Sequence, residues 1–197
     1  LFGFLRMGTS GLTAQAYGAR KPRAQATALW RALAVGLVAA AAVLAVSPAI
    51  SGPVLEIMDG GDAFTRELAG RYFRIAIWGA PAVLASFGLS GWFLGMQNSR
   101  APMWMALTTN VVNIVVSVGL VYGAGLKIEG VATGTLTAQW AGALLGLAIA
   151  LRRFRPERVA LREIFEFRSL KAYFSLNFDI FLRTCCLVAV TLWFTHA

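Results

Sequence analysis

Apolar positions in this sequence gather into long unbroken runs, not into the short alternations of half-buried strands. Four of them, Ala32 to Ile50, Ile75 to Gly95, Met103 to Gly125 and Ile128 to Leu151, are long enough to cross a bilayer as helices, which takes about 20 residues each. Shorter apolar stretches open and close the chain, one from Leu1 to about Tyr17 and one from Tyr173 onward. The pattern predicts an all-α, polytopic membrane helix bundle. Between the runs stand helix breakers. Gly18 and Pro22 in "GARKP" end the first segment, Pro48 and Pro53 bracket the end of the second, and Gly60 with Gly61 marks an exposed loop. Trp92 and Trp104 flank the turn "GMQNSRAP", which predicts two antiparallel neighbouring spans with amphipathic rings near one membrane interface. Because the chain starts at Leu1 and stops at Ala197 inside apolar segments, with no basic head or cleavage pattern, it reads as part of a longer polypeptide.

Composition sharpens this picture. Hydrophobic residues make up 58% and charged residues 14%, well below the roughly 25% charged of an average soluble domain. The net charge of +9 would suggest nucleic acid in a soluble protein, but here the basic residues lie between the spans, as the positive-inside rule requires, so no nucleic-acid partner is expected. Arg20, Lys21 and Arg23 mark a cytoplasmic connection. The stretch Gly52 to Glu67, with Glu56, Asp59, Asp62 and Glu67 against Arg66, marks an outer one. Arg100 returns the chain to the inside, "GLKIEG" is near neutral and outside, and Arg152 to Lys171 is strongly basic and inside. Arg71 and Arg74 fall on the outer side, where they can snorkel to headgroups. The lipid bilayer is one expected partner, and the expected location is the plasma (inner) membrane, crossed several times.

Polar residues inside the runs are informative, because each needs a partner or a wet cavity. They cluster in four places: Arg6, Thr9, Ser10, Thr13 and Gln15; Thr108, Thr109, Asn110, Asn113 and Ser117; Thr133, Thr135, Thr137 and Gln139; and Asn177, Asp179, Arg183 and Thr184. Asn110, Asn113 and Ser117 follow the three-and-four spacing that places side chains on one helix face. Such a stripe serves either interhelical hydrogen bonding or the wall of an ion or substrate cavity. Asp179 and Arg183, one helical turn apart, can neutralise each other as a structural pair or exchange partners during a transport cycle. Gly88, Gly91 and Gly95 in one span, and Gly134, Gly142 and Gly146 in another, are expected at close helix contacts.

Chemistry of other kinds has little material here. Cys185 and Cys186 are adjacent inside an apolar stretch, and His196 is the single histidine, so neither a metal centre nor a catalytic triad is expected. The chain does not read as an enzyme, and no cofactor is expected.

Three ordered stretches, "FLRMGTSGLTAQAYGA", "GWFLGMQNSRAPMWMALTTNVVNIV" and "NFDIFLRT", resemble the DinF branch of the MATE (multidrug and toxic compound extrusion) family. The resemblance implies two six-helix lobes facing each other across a central cavity. It also implies alternating access that exports amphiphilic or cationic small molecules in exchange for a proton or sodium ion. On that likeness residues 1–151 are an incomplete N-terminal lobe (helices 2 to 6), 152–172 the cytoplasmic link, and 173–197 the truncated first helix of the C-terminal lobe. The missing remainder of the polypeptide would complete both lobes. The implied cation or substrate cavity takes Asn110, Asn113, Ser117 and Thr135 from the first lobe, and Asn177, Asp179 and Arg183 from the second. Many relatives carry an aspartate where this chain has Ser117, so a titrating carboxylate is absent at that position. The alternative is a lipid-linked oligosaccharide flippase of the same superfamily. That function would favour several intramembrane arginines, and this chain offers Arg6 and Arg183.

Overall fold

The computed structural model describes residues 3–57, 63–157 and 159–164, with residues 178, 182–183 and 186–187. Among these the chain is helical: α1 (Gly3–Gly18), α2 (Pro22–Ile57), α3 (Ala63–Ala76), α4 (Ala80–Gly95), α5 (Arg100–Val118), α6 (Ile128–Ile149) and the short α7 (Leu161–Ile164). Four stretches are long and apolar enough to cross a membrane: Pro22–Ala49, Glu67–Gly95, Arg100–Gly123 and Ile128–Phe154. The helical bundle expected from the apolar runs is therefore the observed fold.

The punctuation works as expected at α1. After Gly18 the chain turns through Arg20, whose φ of 52° lies in the left-handed region, and the Lys21 amide returns to the Ala16 carbonyl at 3.0 Å. Pro22 then opens α2, where its missing N–H costs nothing. Gln97 makes a similar turn with φ of 58°, and the Asn98 side-chain oxygen accepts from the Ala101 amide at 3.1 Å, satisfying one of the unpaired donors at the start of α5.

Two expectations are corrected. The second span does not end at Pro48 and Pro53, since α2 continues to Ile57. A proline in a helix leaves the carbonyl four residues earlier without its donor. Here the Ser47 hydroxyl donates to that carbonyl, Leu44 O, at 2.9 Å. Trp92 is not an interface ring either. It is 1% exposed and donates its indole N–H to the Gln25 carbonyl at 2.8 Å. Trp104, in contrast, is 51% exposed.

α1, α2 and α4 pack together, while α5 pairs chiefly with α6 rather than with α4. The small residues allow this. A Cβ on Gly95 would lie 2.5 Å from the Thr13 Cβ, and one on Gly91 would strike the Arg6 carbonyl oxygen, so α1 and α4 touch backbone to backbone. Along the other seam, Gly134 meets Ser117, Gly142 meets Thr109, and Gly146 meets Met105. In lipid, where helices gain little from burying apolar surface, such close approach is the main source of association. Trp92, Phe93 and Phe154 then tie the ends of α4 and α6 together, with ring centroids 5.2–5.7 Å apart in edge-on and tilted arrangements.

The connections sort by charge. Trp30 donates to the Glu157 carbonyl at 3.2 Å and Arg23 pairs with Glu163, which brings the start of α2 and the segment after α6 to one end of the bundle. At the other end Arg71 bridges Glu67 at 2.8 Å and Glu129 at 3.2 Å, linking α3 to α6. Arg71, expected to reach for headgroups, is engaged by two carboxylates. Of the acidic connection read from the sequence, Asp59 and Asp62 lie outside the described residues.

Candidate functional site

The seam between α5 and α6 carries the polar stripe. Asn110, Asn113 and Ser117 fall within an arc of about 60° on α5, at 100° per residue. The Asn113 Nδ2 donates to the Thr135 Oγ1 at 3.1 Å, and that hydroxyl donates to the Val131 carbonyl at 3.0 Å. Because the Thr135 proton is committed to Val131, Thr135 can only accept from the amide, which fixes the Asn113 orientation. The Asn113 Oδ1 is left without a partner among the described residues. Asn110 is exposed one turn earlier, at the open edge of the same stripe.

Ser117 lies deeper in the seam. Its hydroxyl oxygen is buried against Gly134 and has no hydrogen-bond partner among the described residues. The Thr13 Oγ1 and Gln139 Oε1 are in the same condition, Thr13 against Gly95 and Gln139 against Gly79. Four other span hydroxyls satisfy themselves on their own helices: Thr9 on Leu5, Thr109 on Met105, Thr133 on Glu129 and Thr137 on Thr133, all at 2.7–2.9 Å. Such back-bonding uses up their donors and leaves acceptor capacity. The structure therefore joins Asn113 to Thr135, sets Asn110 and Ser117 beside them, and supplies more acceptors than donors. A site of this kind suits a cation or a cationic group.

Asn177 and Asp179 lie outside the described residues, and Arg183 is exposed. Among the described residues no cluster of His, Cys, Asp or Glu could hold a metal ion.

The family model described as MatE matches residues 1–119. The chain belongs to the MatE family. It is 40% identical over 189 residues to the DNA damage-inducible protein F of Escherichia coli (strain K12), an alignment covering 93% of this chain and 40% of that protein. It is also 27% identical over 79 residues to the chloroplastic Protein DETOXIFICATION 44 of Arabidopsis thaliana, across 40% of this chain and 15% of that one. This MatE chain thus spans about 40% of the length of its bacterial relative. Among solved structures, a MATE in the bent conformation superposes with a TM-score of 0.76 at 22% identity, covering 90% of this chain and 40% of that chain. An inward-facing multidrug resistance MATE family transporter superposes at 0.70 with 24% identity, across 84% and 39% of the two chains. At such identities they show the fold, a MatE bundle, which with the four apolar helices makes this a multi-pass membrane protein.

The residue that sequence reasoning passed over is Arg31. It stands just ahead of an apolar run, where an arginine ordinarily reads as a headgroup residue. In the fold it is only 9% exposed and donates to the backbone carbonyls of Glu163 and Ile164 in α7. A signal that could have flagged it is Trp30 beside it, a second donor with the same polar destination.

Proposed function

We propose that this chain supplies most of one lobe of a secondary antiporter that exports amphiphilic or cationic small molecules by alternating access, driven by a proton or sodium gradient. Residues 1–151 form that lobe, 152–172 the cytoplasmic link, and 173–197 the start of the second lobe, in a protein of the plasma membrane. The single observation that carries this reading is the α5/α6 seam. The unpartnered Asn113 Oδ1 lies beside exposed Asn110 in an otherwise apolar span, and a polar group kept open there is expensive unless it serves a wet cavity. In this reading Asn110, Asn113, Ser117 and Thr135 line the first-lobe wall, and Asn177, Asp179 and Arg183 are the residues the second lobe contributes. The multidrug resistance of the transporter that shares this fold supports the substrate class.

The reading is tested with the complete polypeptide in proteoliposomes loaded with ethidium, an amphiphilic cation. Efflux should follow an imposed pH or sodium gradient, stop when the gradient is collapsed, and fall at least tenfold in Asn113→Leu. Efflux indifferent to both gradients would overturn ion coupling, and retention of full activity by Asn113→Leu would remove the seam from the cavity.

A further inference from the structure

At the basic end of the bundle, the start of α5 and the end of α6 border a half-open cavity of about 430 Å³. That lies within the range of roughly 300–1,000 Å³ typical of small-molecule sites. Three arginines converge on it: Arg100 from the first turn of α5, and Arg152 and Arg153 from the π-type turn Ala150–Phe154 that closes α6. None of the three has an ion-pair partner among the described residues, and no acidic side chain lines the cavity. All three side chains are exposed, so their donors are open to an anionic group at this surface. Of the other basic residues at this end, Arg23 pairs with Glu163 and Arg31 donates to the α7 carbonyls, while Arg155 is exposed.

The lining is also graded along the membrane normal. Arginines sit at the helix ends. Trp104 follows one turn into α5 with its indole half exposed, and Ile149, Ala148 and Leu145 succeed one another into α6. Cation, then amphipathic ring, then apolar wall is the order of phosphate, interface and acyl chain in a lipid leaflet. Further into α5 and α6, Leu107 and Leu144 are exposed apolar residues as well. A free inorganic anion would need the arginines alone. The graded wall fits a molecule with a phosphate head and a hydrocarbon tail. Asn110, ten residues along α5 from Arg100, is about 15 Å away, so this cavity is separate from the polar seam.

We propose that this cavity is a binding site for an anionic phospholipid, whose phosphate is held by Arg100, Arg152 and Arg153 while Trp104 and the α6 wall receive its glycerol and upper acyl chain. The site goes beyond the transport reading and does not depend on it.

Native mass spectrometry of the purified protein, released from nanodiscs of mixed phosphatidylglycerol and phosphatidylcholine, tests the site. Each surface arginine raises anionic-lipid affinity about fivefold, so retained phosphatidylglycerol should exceed phosphatidylcholine by about tenfold or more. In the triple substitution Arg100→Gln, Arg152→Gln and Arg153→Gln the preference should fall to within about twofold. In a control losing the same charge elsewhere, Arg20→Gln, Lys21→Gln and Arg155→Gln, it should persist. No preference in the unaltered protein, or equal loss in the control, would overturn the site. Displacement of the lipid by millimolar inorganic phosphate would overturn a lipid in favour of a free anion. Should the triple variant not fold, phosphatidylglycerol bearing a photoreactive acyl chain decides on the unaltered protein. Crosslinks to residues 98–107 and 144–153 support the proposal, and crosslinks spread over all spans refute it.

Discussion

The Nε of Arg31 donates to the carbonyl oxygen of Ile164 at 3.0 Å, joining α2 to a residue 133 positions later in the chain. Its Nη2 reaches the neighbouring Glu163 carbonyl at 2.9 Å. The last carbonyls of a helix lack partners of their own, and a guanidinium fork satisfies two at once. Hydrogen bonds from a charged group contribute about 1.5–3 kcal/mol each, so Arg31 is the principal clamp between the bundle and the segment that follows α6. Glu163 is reached also by Arg23 through an exposed pair, which water screens and which adds little.

Arg31→Gln should therefore lower the melting temperature by several degrees in detergent and speed tryptic cleavage within residues 152–164. Glu163→Gln should do little of either. Equal effects of the two substitutions would show that the exposed ion pair, not the buried guanidinium, holds the segment.

Gly91→Ala should destabilise the bundle by about 1–3 kcal/mol, because its methyl group must displace the α1 backbone at Arg6. Gly11→Ala on the facing helix meets nothing within 4 Å and should be neutral or slightly stabilising. Thermal unfolding followed by fluorescence-detected size exclusion reads both, and a neutral Gly91→Ala would mean that the two helices sit further apart.

Ser117→Ala should cost no stability, since the hydroxyl it removes is buried without a partner. Asn113→Ala should be mild as well, around 0.6 kcal/mol, the average for interhelical hydrogen bonds in membranes. Efflux should fall in both, modestly in Ser117→Ala and strongly in Asn113→Ala, with no matching loss of stability. A loss of efflux that tracks melting temperature in both would assign the stripe to packing alone.

Orientation is read by a membrane-impermeant maleimide in intact cells expressing the complete polypeptide, in a background lacking Cys185 and Cys186. External reagent should label Glu67→Cys and spare Glu157→Cys, because the basic connections face the cytoplasm. The reverse pattern would invert the topology.

The spans were legible because lipid demands long apolar runs, and the glycine contacts because small residues at helical spacing have one common use in lipid. The site was legible as a stripe, since Asn110, Asn113 and Ser117 keep the helical period. Which polar group bonds which was not. Thr135 joins Asn113 from 22 residues away, a relation that no local spacing encodes. The reach of α2 past Pro48 was hidden for a different reason: one neighbouring hydroxyl, Ser47, removes the cost that normally makes proline a terminator. The outer end of the third span was misjudged in the same way. Arg71 looked like a loop or headgroup residue, yet it lies within α3 because Glu67 and Glu129 neutralise it there. Thr135 and Glu129 are far in sequence from the residues they meet, whereas Ser47 and Glu67 are near neighbours whose bonds exist only once the helix has formed.

At 36 residues, α2 is about 54 Å long, against a hydrocarbon core of about 30 Å. One end is fastened, Trp30 to Glu157 and Arg31 to α7, so the surplus length can be taken up only by tilt or at the opposite end. A thicker or thinner bilayer would therefore not slide this helix as a whole. The adjustment would fall beyond Ser47 and Pro48, where the ladder already depends on a side chain, making that stretch the part of the molecule most responsive to the thickness of the membrane around it.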